Sequence, residues 1–543
     1  MEQQRAILIR CASGFPSLPS YGTAGVQGGG DDAGGRRIFR TGFLRSKVAE
    51  DGQRRPWPDD HRSHNAVGDN GVKVADPSGS MMTQLWEPFA DALAGAPTAE
   101  DFVRRPSEIL LGRDTRPSGE ALLEAAKQHG APDIPHLLRP FFAERRLGIA
   151  AVVGAVAIDM GILTTPQLHW MVRREERRPG ASEDEYFRQL SDSFRRLMDL
   201  SPEGTLRNAY DPSVWVDGAN GQGSRSMSET RQGRGGILND GVGADFVQKE
   251  KAIPHGFSTS DAGEGRAHRL LPPSHLLERE KRECASLDGD ADRLVYFRIT
   301  GEEGRKIDLI DGDKILSLFS LFIKEQLAKL EEGGEPAGRA RLGAVQTAYA
   351  NGASTEFLRR MGMGGAFTPT GVKHLHEKAS EYDVGIYFEA NGHGTVLFSD
   401  KFLRELEALI AELRLIIQSQ KAALRLWEVS QLINQAVGDA LSGFLLVEAI
   451  LRHKGWSIEE WNSLYQDLPS RQLKRRHTAN AETQVVNPPG LQEAIDAETV
   501  PERWCFIRPS GTEDVVRVYA EAATQEAADG LARAVALEVG RSL

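Results

Sequence analysis

The sequence predicts an α/β protein of several domains. Short runs of β-branched and aromatic residues recur along the chain, and segments with helical 3.6-residue periodicity lie between them. The 543 residues exceed what one hydrophobic core organises, and at about 150 residues per domain they allow roughly three to four domains. Boundaries are expected near residues 180, 300 and 455.

Taken in order, Ile109-Leu110-Leu111 reads as a strand, and Tyr186, Leu190, Phe194 and Leu197 recur as one face of an amphipathic helix. Val214-Trp215-Val216, Leu294 to Phe297, Gly385 to Phe388 and Thr395 to Phe398 are further strand runs. Phe402, Leu406, Leu409, Leu413 and Ile417 continue the helical pattern, as does a second stretch through Leu432, Val437, Leu441, Leu445 and Ile450. The alternating Val516-Arg517-Val518-Tyr519 predicts a late strand. Glycine-rich segments at 25–35 and 218–243 read as loops or disorder.

Composition excludes several classes. Lys plus Arg number 66 and Asp plus Glu 77, a net charge of −11 spread along the chain, which suits neither a nucleic-acid groove nor a polybasic membrane anchor. Cys11, Cys284 and Cys505 lie far apart without C-x-x-C spacing, as expected of a reducing, cytoplasmic compartment. The apolar run Leu147 to Ile158 falls short of the roughly 20 residues of a spanning helix. A soluble protein without membrane or nucleic-acid partners is the expectation.

The sharpest chemistry lies in Asp288-Gly289-Asp290-Ala291-Asp292-Arg293, directly before the strand at Leu294. Carboxylates at alternate positions of a tight loop converge on one hard divalent cation, and Arg293 beside them suits a phosphate. A calcium EF-hand would need Gly and Glu where Arg293 and Ile299 stand. In Arg508-Pro509-Ser510-Gly511-Thr512, two hydroxyls, turn N–H groups and a guanidinium form an anion cradle, although a strand-connecting turn uses the same residues. Glu389-Ala390-Asn391-Gly392-His393-Gly394, between two strands, offers donors and acceptors for sugar hydroxyls. Ser63-His64-Asn65, with Lys73 ten residues on, has the makings of a nucleophile or phosphate carrier with His64 or Lys73 moving protons. A plain turn reads the same way. Gly112 to Gly119, with Arg113 and Arg116 at a helix start, suits an anion or an internal Arg–Asp pair.

Taken in chain order, from the Ser63 loop through the Asp288 and Glu389 loops to the Arg508 loop, these loops resemble the α-D-phosphohexomutase superfamily, and the longer stretches Tyr21 to Gly25, Gly161 to His169, Val345 to Thr355, Thr368 to His376 and Phe388 to Phe398 resemble its phosphoacetylglucosamine mutase branch. The resemblance implies a four-domain, heart-shaped fold, with three similar mixed-sheet α/β domains and a smaller C-terminal α+β domain. These would be residues 1–180 with the phosphoserine loop, 181–300 with the metal loop, 301–455 with the sugar loop and 456–543 with the phosphate loop. It implies interconversion of N-acetylglucosamine 6-phosphate and 1-phosphate, on the route to UDP-N-acetylglucosamine, by a monomer acting on a small phosphosugar. One Mg²⁺ and an activating hexose bisphosphate would be required.

By the same resemblance, Ser63 carries the phosphate and joins Asp288, Asp290 and Asp292 around the metal, with His64, Lys73 and Arg293 in the catalytic set. Thr370, Gly371, Glu389, Asn391 and His393 grip the sugar, while Arg508, Ser510, Gly511, Thr512 and Arg517 hold phosphate. The family loop reads T-A-S-H-N-P after an apolar strand, whereas Arg54 to Arg62 precede Ser63 here and Ala66 replaces the proline. A binding homologue without turnover, or a mutase for another hexose phosphate, are the alternatives.

Overall fold

Among the described residues, four sheets carry the strand runs singled out above. The computed structural model of the chain describes residues 80–81, 108–113, 156–177, 181–202, 213–218, 223, 243–246, 283–300, 306–411, 417–476, 503–509 and 515–542. It divides into two units, Met1–Ala181 with Gly511–Glu513, and Ser182–Ser510 with Asp514–Leu543.

In the first unit, β1 (Glu108–Arg113) and β2 (Val156–Ile162) pair in parallel, so the end of the apolar run at 147–158 is strand. Helix α1 (Thr165–Arg177) starts on a reciprocal cap: the Thr164 hydroxyl accepts from the Gln167 backbone N–H at 3.2 Å, and the Gln167 amide oxygen accepts from the Thr164 N–H at 2.9 Å.

The second unit opens with α2 (Glu183–Asp199), capped by Ser182 and burying Tyr186, Leu190, Phe194 and Leu197 as the periodicity predicts, with Phe187 buried beside them. Next come β3 (Ser213–Asp217), β4 (Gly243–Phe246), β5 (Glu283–Leu287), β6 (Leu294–Thr300) and β7 (Lys306–Ile310). They form a sheet of order β4-β3-β5-β6-β7, parallel through β3, β4 and β5 and antiparallel beyond. Strand β7 therefore extends this sheet past residue 300.

Helix α3 (Gly312–Glu332) leads into a second sheet built from β8 (Leu342–Thr347), β9 (Gly364–Thr368), β10 (Val384–Phe388) and β11 (Gly394–Phe398), with α4 (Gly352–Arg360) and α5 (Val372–Ala379) in its crossovers. Its order is β11-β10-β8-β9, with β8, β9 and β10 parallel.

Four helices follow: α6 (Asp400–Ala411), α7 (Ile417–Leu432), α8 (Ala440–Lys454) and α9 (Ile458–Asn462). Here the structure corrects the sequence pattern. The stretch from Phe402 does not run through Ile417 as one helix, because Ile417 opens α7 and is 70% exposed. Leu413 lies outside the described residues. The second stretch is also two helices, parted by a turn holding Val437, because the Asp439 carboxylate caps a new helix by accepting from the Leu441 and Ser442 N–H groups. A buried bond from Tyr186 Oη to Asp439 Oδ2 at 2.7 Å fixes that cap.

The chain closes with β12 (Ser470–Arg476), β13 (Arg503–Pro509) and β14 (Val515–Ala522) in the antiparallel order β12-β14-β13, and with α10 (Gln525–Ser542) packed on one face. Among the described residues, no helix is long and apolar enough to cross a membrane.

One core contact feeds directly into the sugar loop. Phe319 of α3 is fully buried and meets Phe388, the last residue of β10, edge to face at 5.5 Å. Phe319→Ala should cost about 3–5 kcal/mol and lower the melting temperature measured by calorimetry.

Candidate active site

The parallel strands β3, β4 and β5 of the first sheet, and β8, β9 and β10 of the second, fix where chemistry gathers. Asp288 leaves the carboxyl end of β5, Thr370 and Gly371 follow that of β9, and Glu389 follows that of β10. Open α/β sheets bind ligands along such edges.

The acidic loop folds upon itself. Asp288 Oδ1 accepts from the backbone N–H of Asp292 at 2.9 Å and of Arg293 at 3.2 Å, and its carbonyl accepts from Ala291 N at 3.1 Å. Closing so tight a loop puts Ala291 in the left-handed region at φ 57°. The side chains of Asp288, Asp290 and Asp292 then converge, with one carboxylate oxygen from each within 4.8 Å of the others, and all three are buried. Burial, and then the charges of Asp292 and Asp290, raise the pKa of Asp288 well above the usual carboxylate range, with Arg293 opposing. Arg293 Nε stands 3.8 Å from Asp292 Oδ1. One guanidinium does not neutralise three carboxylates. The donor set, hard oxygens only, fits Mg²⁺.

The sugar loop is locked to the metal loop. Leu294 N donates to the Gly392 carbonyl at 3.2 Å, and His393 Nδ1 lies 3.4 Å from Asp292 Oδ1. Within the loop, Glu389 N donates to His393 O, the Asn391 amide oxygen accepts from His393 N at 3.0 Å, and Asn391 Nδ2 donates to Glu389 Oε2 at 3.3 Å. Gly392 is required twice over: its φ is +85°, and a Cβ there would stand 1.9 Å from the Leu294 carbonyl oxygen.

Two supports went unnoticed in the sequence. The N–H of Gly312, at the start of α3, donates to Ala390 O at 3.1 Å, and a Cβ at Gly312 would meet Glu389 O at 1.9 Å. Before α8, a Cβ at Gly438 would lie 2.8 Å from the His393 ring and 3.0 Å from Asp292 O, while Ala440 N donates to Ala291 O at 2.9 Å. A glycine next to a capping Asp was their only signal.

The structure thus brings together Asp288, Asp290, Asp292, Arg293, Glu389, Asn391 and His393. Thr370 and Gly371 lie at the same sheet edge as Glu389, in the turn before α5. Arg508 and Arg517 are direct cross-strand partners on β13 and β14. Ser63, His64, Lys73, Ser510, Gly511 and Thr512 lie outside the described residues, as does the 54–62 segment.

Residues 311–456 match the family model of phosphoacetylglucosamine mutase AMG1, domain III, and residues 468–538 that of the phosphoglucomutase/phosphomannomutase C-terminal domain. The phosphoacetylglucosamine mutase of Arabidopsis thaliana is 48% identical over 98% of each chain. The chain belongs to the phosphoacetylglucosamine mutase family. The Homo sapiens member is 39% identical, over 88% of this chain and 86% of its own. The crystal structure of Aspergillus fumigatus N-acetylphosphoglucosamine mutase in complex with GlcNAc-6P and magnesium matches with a TM-score of 0.78 at 32% identity, covering 99% of both chains. The α/β fold of the α-D-phosphohexomutase superfamily is therefore that of the chain.

Two outcomes follow from the locked loops. Gly392→Ala should part the sugar and metal loops and lower turnover by about 10²-fold or more, seen in a steady-state mutase assay. Because the Asp288 carboxyl holds its proton to higher pH than usual, Mg²⁺ must displace that proton. Calorimetric titration should accordingly give weaker Mg²⁺ binding as the pH is lowered.

Proposed function

We propose that this chain interconverts N-acetylglucosamine 6-phosphate and N-acetylglucosamine 1-phosphate through a phosphoserine at Ser63 and a sugar bisphosphate, in the supply of UDP-N-acetylglucosamine. The observation that carries this reading is the buried Asp288–Asp290–Asp292 triad bonded, through Leu294 and Gly392, to a loop that presents Glu389, Asn391 and His393.

In this reading, Asp288, Asp290, Asp292 and the Ser63 phosphate hold Mg²⁺, which when bound disperses charge on the transferring phosphoryl group. Glu389, Asn391 and His393, with Thr370 and Gly371, orient the sugar. Arg508, Ser510, Gly511, Thr512 and Arg517 hold the phosphate that is not being transferred. As the free sugar hydroxyl bonds to phosphorus, the P–Oγ bond to Ser63 breaks, and His64 or Lys73 takes the hydroxyl proton and delivers it to the Ser63 Oγ left behind. Arg293 and Lys73 balance the negative charge of the group in flight. The bisphosphate then turns over, so that its other phosphate returns to Ser63 Oγ and the phosphate cradle receives the group just transferred. A hexose bisphosphate charges a serine that has lost its phosphate.

The proposed division of the chain is 1–180, 181–300, 301–455 and 456–543, with β7 completing the sheet of the second segment from across the boundary at 300. The enzyme acts as a cytoplasmic monomer on its phosphosugar, without nucleic acid or membrane. The dispersed cysteines and the evenly spread net charge of −11 support that setting.

The test is ³¹P NMR of the purified protein with N-acetylglucosamine 6-phosphate, Mg²⁺ and a trace of glucose 1,6-bisphosphate. A 1-phosphate resonance should grow and should vanish with Ser63→Ala. A flat spectrum with substrate bound would instead identify a homologue without turnover. Asp290→Ala should abolish the Mg²⁺-dependent rate, and unchanged activity would remove the metal assignment.

A further inference from the structure

Three consecutive residues at the start of α3 reach three different elements. The N–H of Gly312 donates to the Ala390 carbonyl of the sugar loop at 3.1 Å. The Asp313 carboxylate accepts from Asn351 N at 2.8 Å and from Gln346 Nε2 at 3.4 Å, which ties down the turn after β8. Lys314 is buried, and its Nζ donates to the Asn462 carbonyl at 2.9 Å and to that of Tyr465, in the link between α9 and β12.

Asn351 carries this framework onward to the C-terminal sheet. Its side-chain oxygen caps α4 by accepting from Ala353 N at 3.0 Å. The same oxygen accepts from Leu468 N at 3.1 Å, while Nδ2 donates to the Leu468 carbonyl at 3.0 Å. One amide side chain thus meets both the N–H and the C=O of a single residue, as a neighbouring strand would, just before β12 opens at Ser470.

The next residue adds a second seat. Gly352 N donates to both carboxylate oxygens of the buried Glu521 at 3.1 Å, and Tyr519 Oη donates to Glu521 Oε2 at 3.0 Å. The start of α4 is where that helix favours negative charge. A Cβ at Gly352 would approach Glu521 Oε1 to 2.5 Å and Leu468 Cδ1 to 3.3 Å, so both seats require glycine there. Ala522 N donates to Pro469 O at 3.0 Å, which joins the end of β14 to the same link.

Glu521 shares its face of β14 with Tyr519 and Arg517, since Val516, Val518 and Ala520 of the other parity pack on α10. Arg508 stands directly opposite Arg517. Bonded contacts therefore run from the sugar loop through Gly312, Asp313 and Asn351 to the strand that carries the arginine pair. A ligand that bridges two sites gains from both only where their spacing fits it. We propose that Asn351 is a positioning residue of this enzyme, whose amide, through Leu468, sets the C-terminal sheet in register with the sugar loop so that sugar and non-transferred phosphate are gripped together. The proposal rests on the reading above that Arg508 and Arg517 hold that phosphate.

The test uses the full-length enzyme with Mg²⁺ and compares a bridging ligand with ligands of one end only: KM for N-acetylglucosamine 6-phosphate against the inhibition constants of inorganic phosphate and of N-acetylglucosamine. Asn351→Ser keeps a good cap for α4 but is too short to reach Leu468. It should raise KM by about tenfold, as for the loss of two neutral hydrogen bonds, with kcat within about twofold. Both inhibition constants and the melting temperature should be unchanged. Asn351→Asp keeps the cap and the bond from Leu468 N but cannot donate to the Leu468 carbonyl, and should raise KM with the same selectivity; it decides alone if Asn351→Ser does not fold. An unchanged KM in both variants overturns the role of Asn351. A rise in KM matched by equal rises in both inhibition constants overturns it as well, since a general loss of structure would then be the cause. Arg508→Lys separates the two readings: it should raise KM and the inhibition constant of phosphate together. If it changes neither, the phosphate reading falls and the role of Asn351 falls with it. If it raises both while the Asn351 variants do not raise KM, the role of Asn351 alone falls.

Discussion

Three carboxylates buried within 4.8 Å of one another set the terms for the site. Like charges so close and so far from water are costly unless a cation joins them or protons neutralise them. Arg293 Nε lies 3.8 Å and His393 Nδ1 3.4 Å from Asp292 Oδ1, and the Arg293 charge opposes the rise of the Asp288 pKa without cancelling it. The backbone instead holds the arrangement in place: Asp288 Oδ1 takes two loop N–H groups, Ala291 sits at positive φ, Ala440 N bonds to the Ala291 carbonyl, and Leu294 N bonds to Gly392. A prebuilt, charge-hungry site of this kind suits phosphoryl transfer, in which catalysis is largely positioning and charge dispersal.

The same economy of space explains the glycines. At Gly312, Gly392 and Gly438, a methyl group would press on the backbone or ring of the metal and sugar loops. Close backbone approach at these points lets the carboxyl edges of two sheets and the start of α8 share one site. The Tyr186–Asp439 bond fixes that helix start from behind. Stability and function meet in these contacts, since each holds a loop that also carries ligand-directed side chains.

Much of this was legible in the sequence. Strand runs such as Leu294 to Phe297 and Gly385 to Phe388 are strands, and the Asp288, Asp290 and Asp292 spacing does place one oxygen of each together. Alternation and loop chemistry are local, so sequence carries them. The helical stretch from Phe402 misled because apolar periodicity does not register a break: Ile417 continues the pattern in sequence yet starts a new helix and is exposed. The cap at Asp439 was missed for a similar reason, since its partner Tyr186 is 253 residues away.

A divalent cation held by Asp288, Asp290 and Asp292 against a phosphoserine at Ser63 would lie within coupling range of the phosphorus. Electron–nuclear double resonance at ³¹P on the phosphorylated enzyme loaded with Mn²⁺ in place of Mg²⁺, without sugar, tests it most directly. A ³¹P coupling to one bound Mn²⁺ is expected, disappearing in Ser63→Ala, together with a Mn²⁺ signal that is lost in Asp290→Ala. A Mn²⁺ signal indifferent to Asp290→Ala, or one without phosphorus coupling in the phosphorylated enzyme, would contradict it.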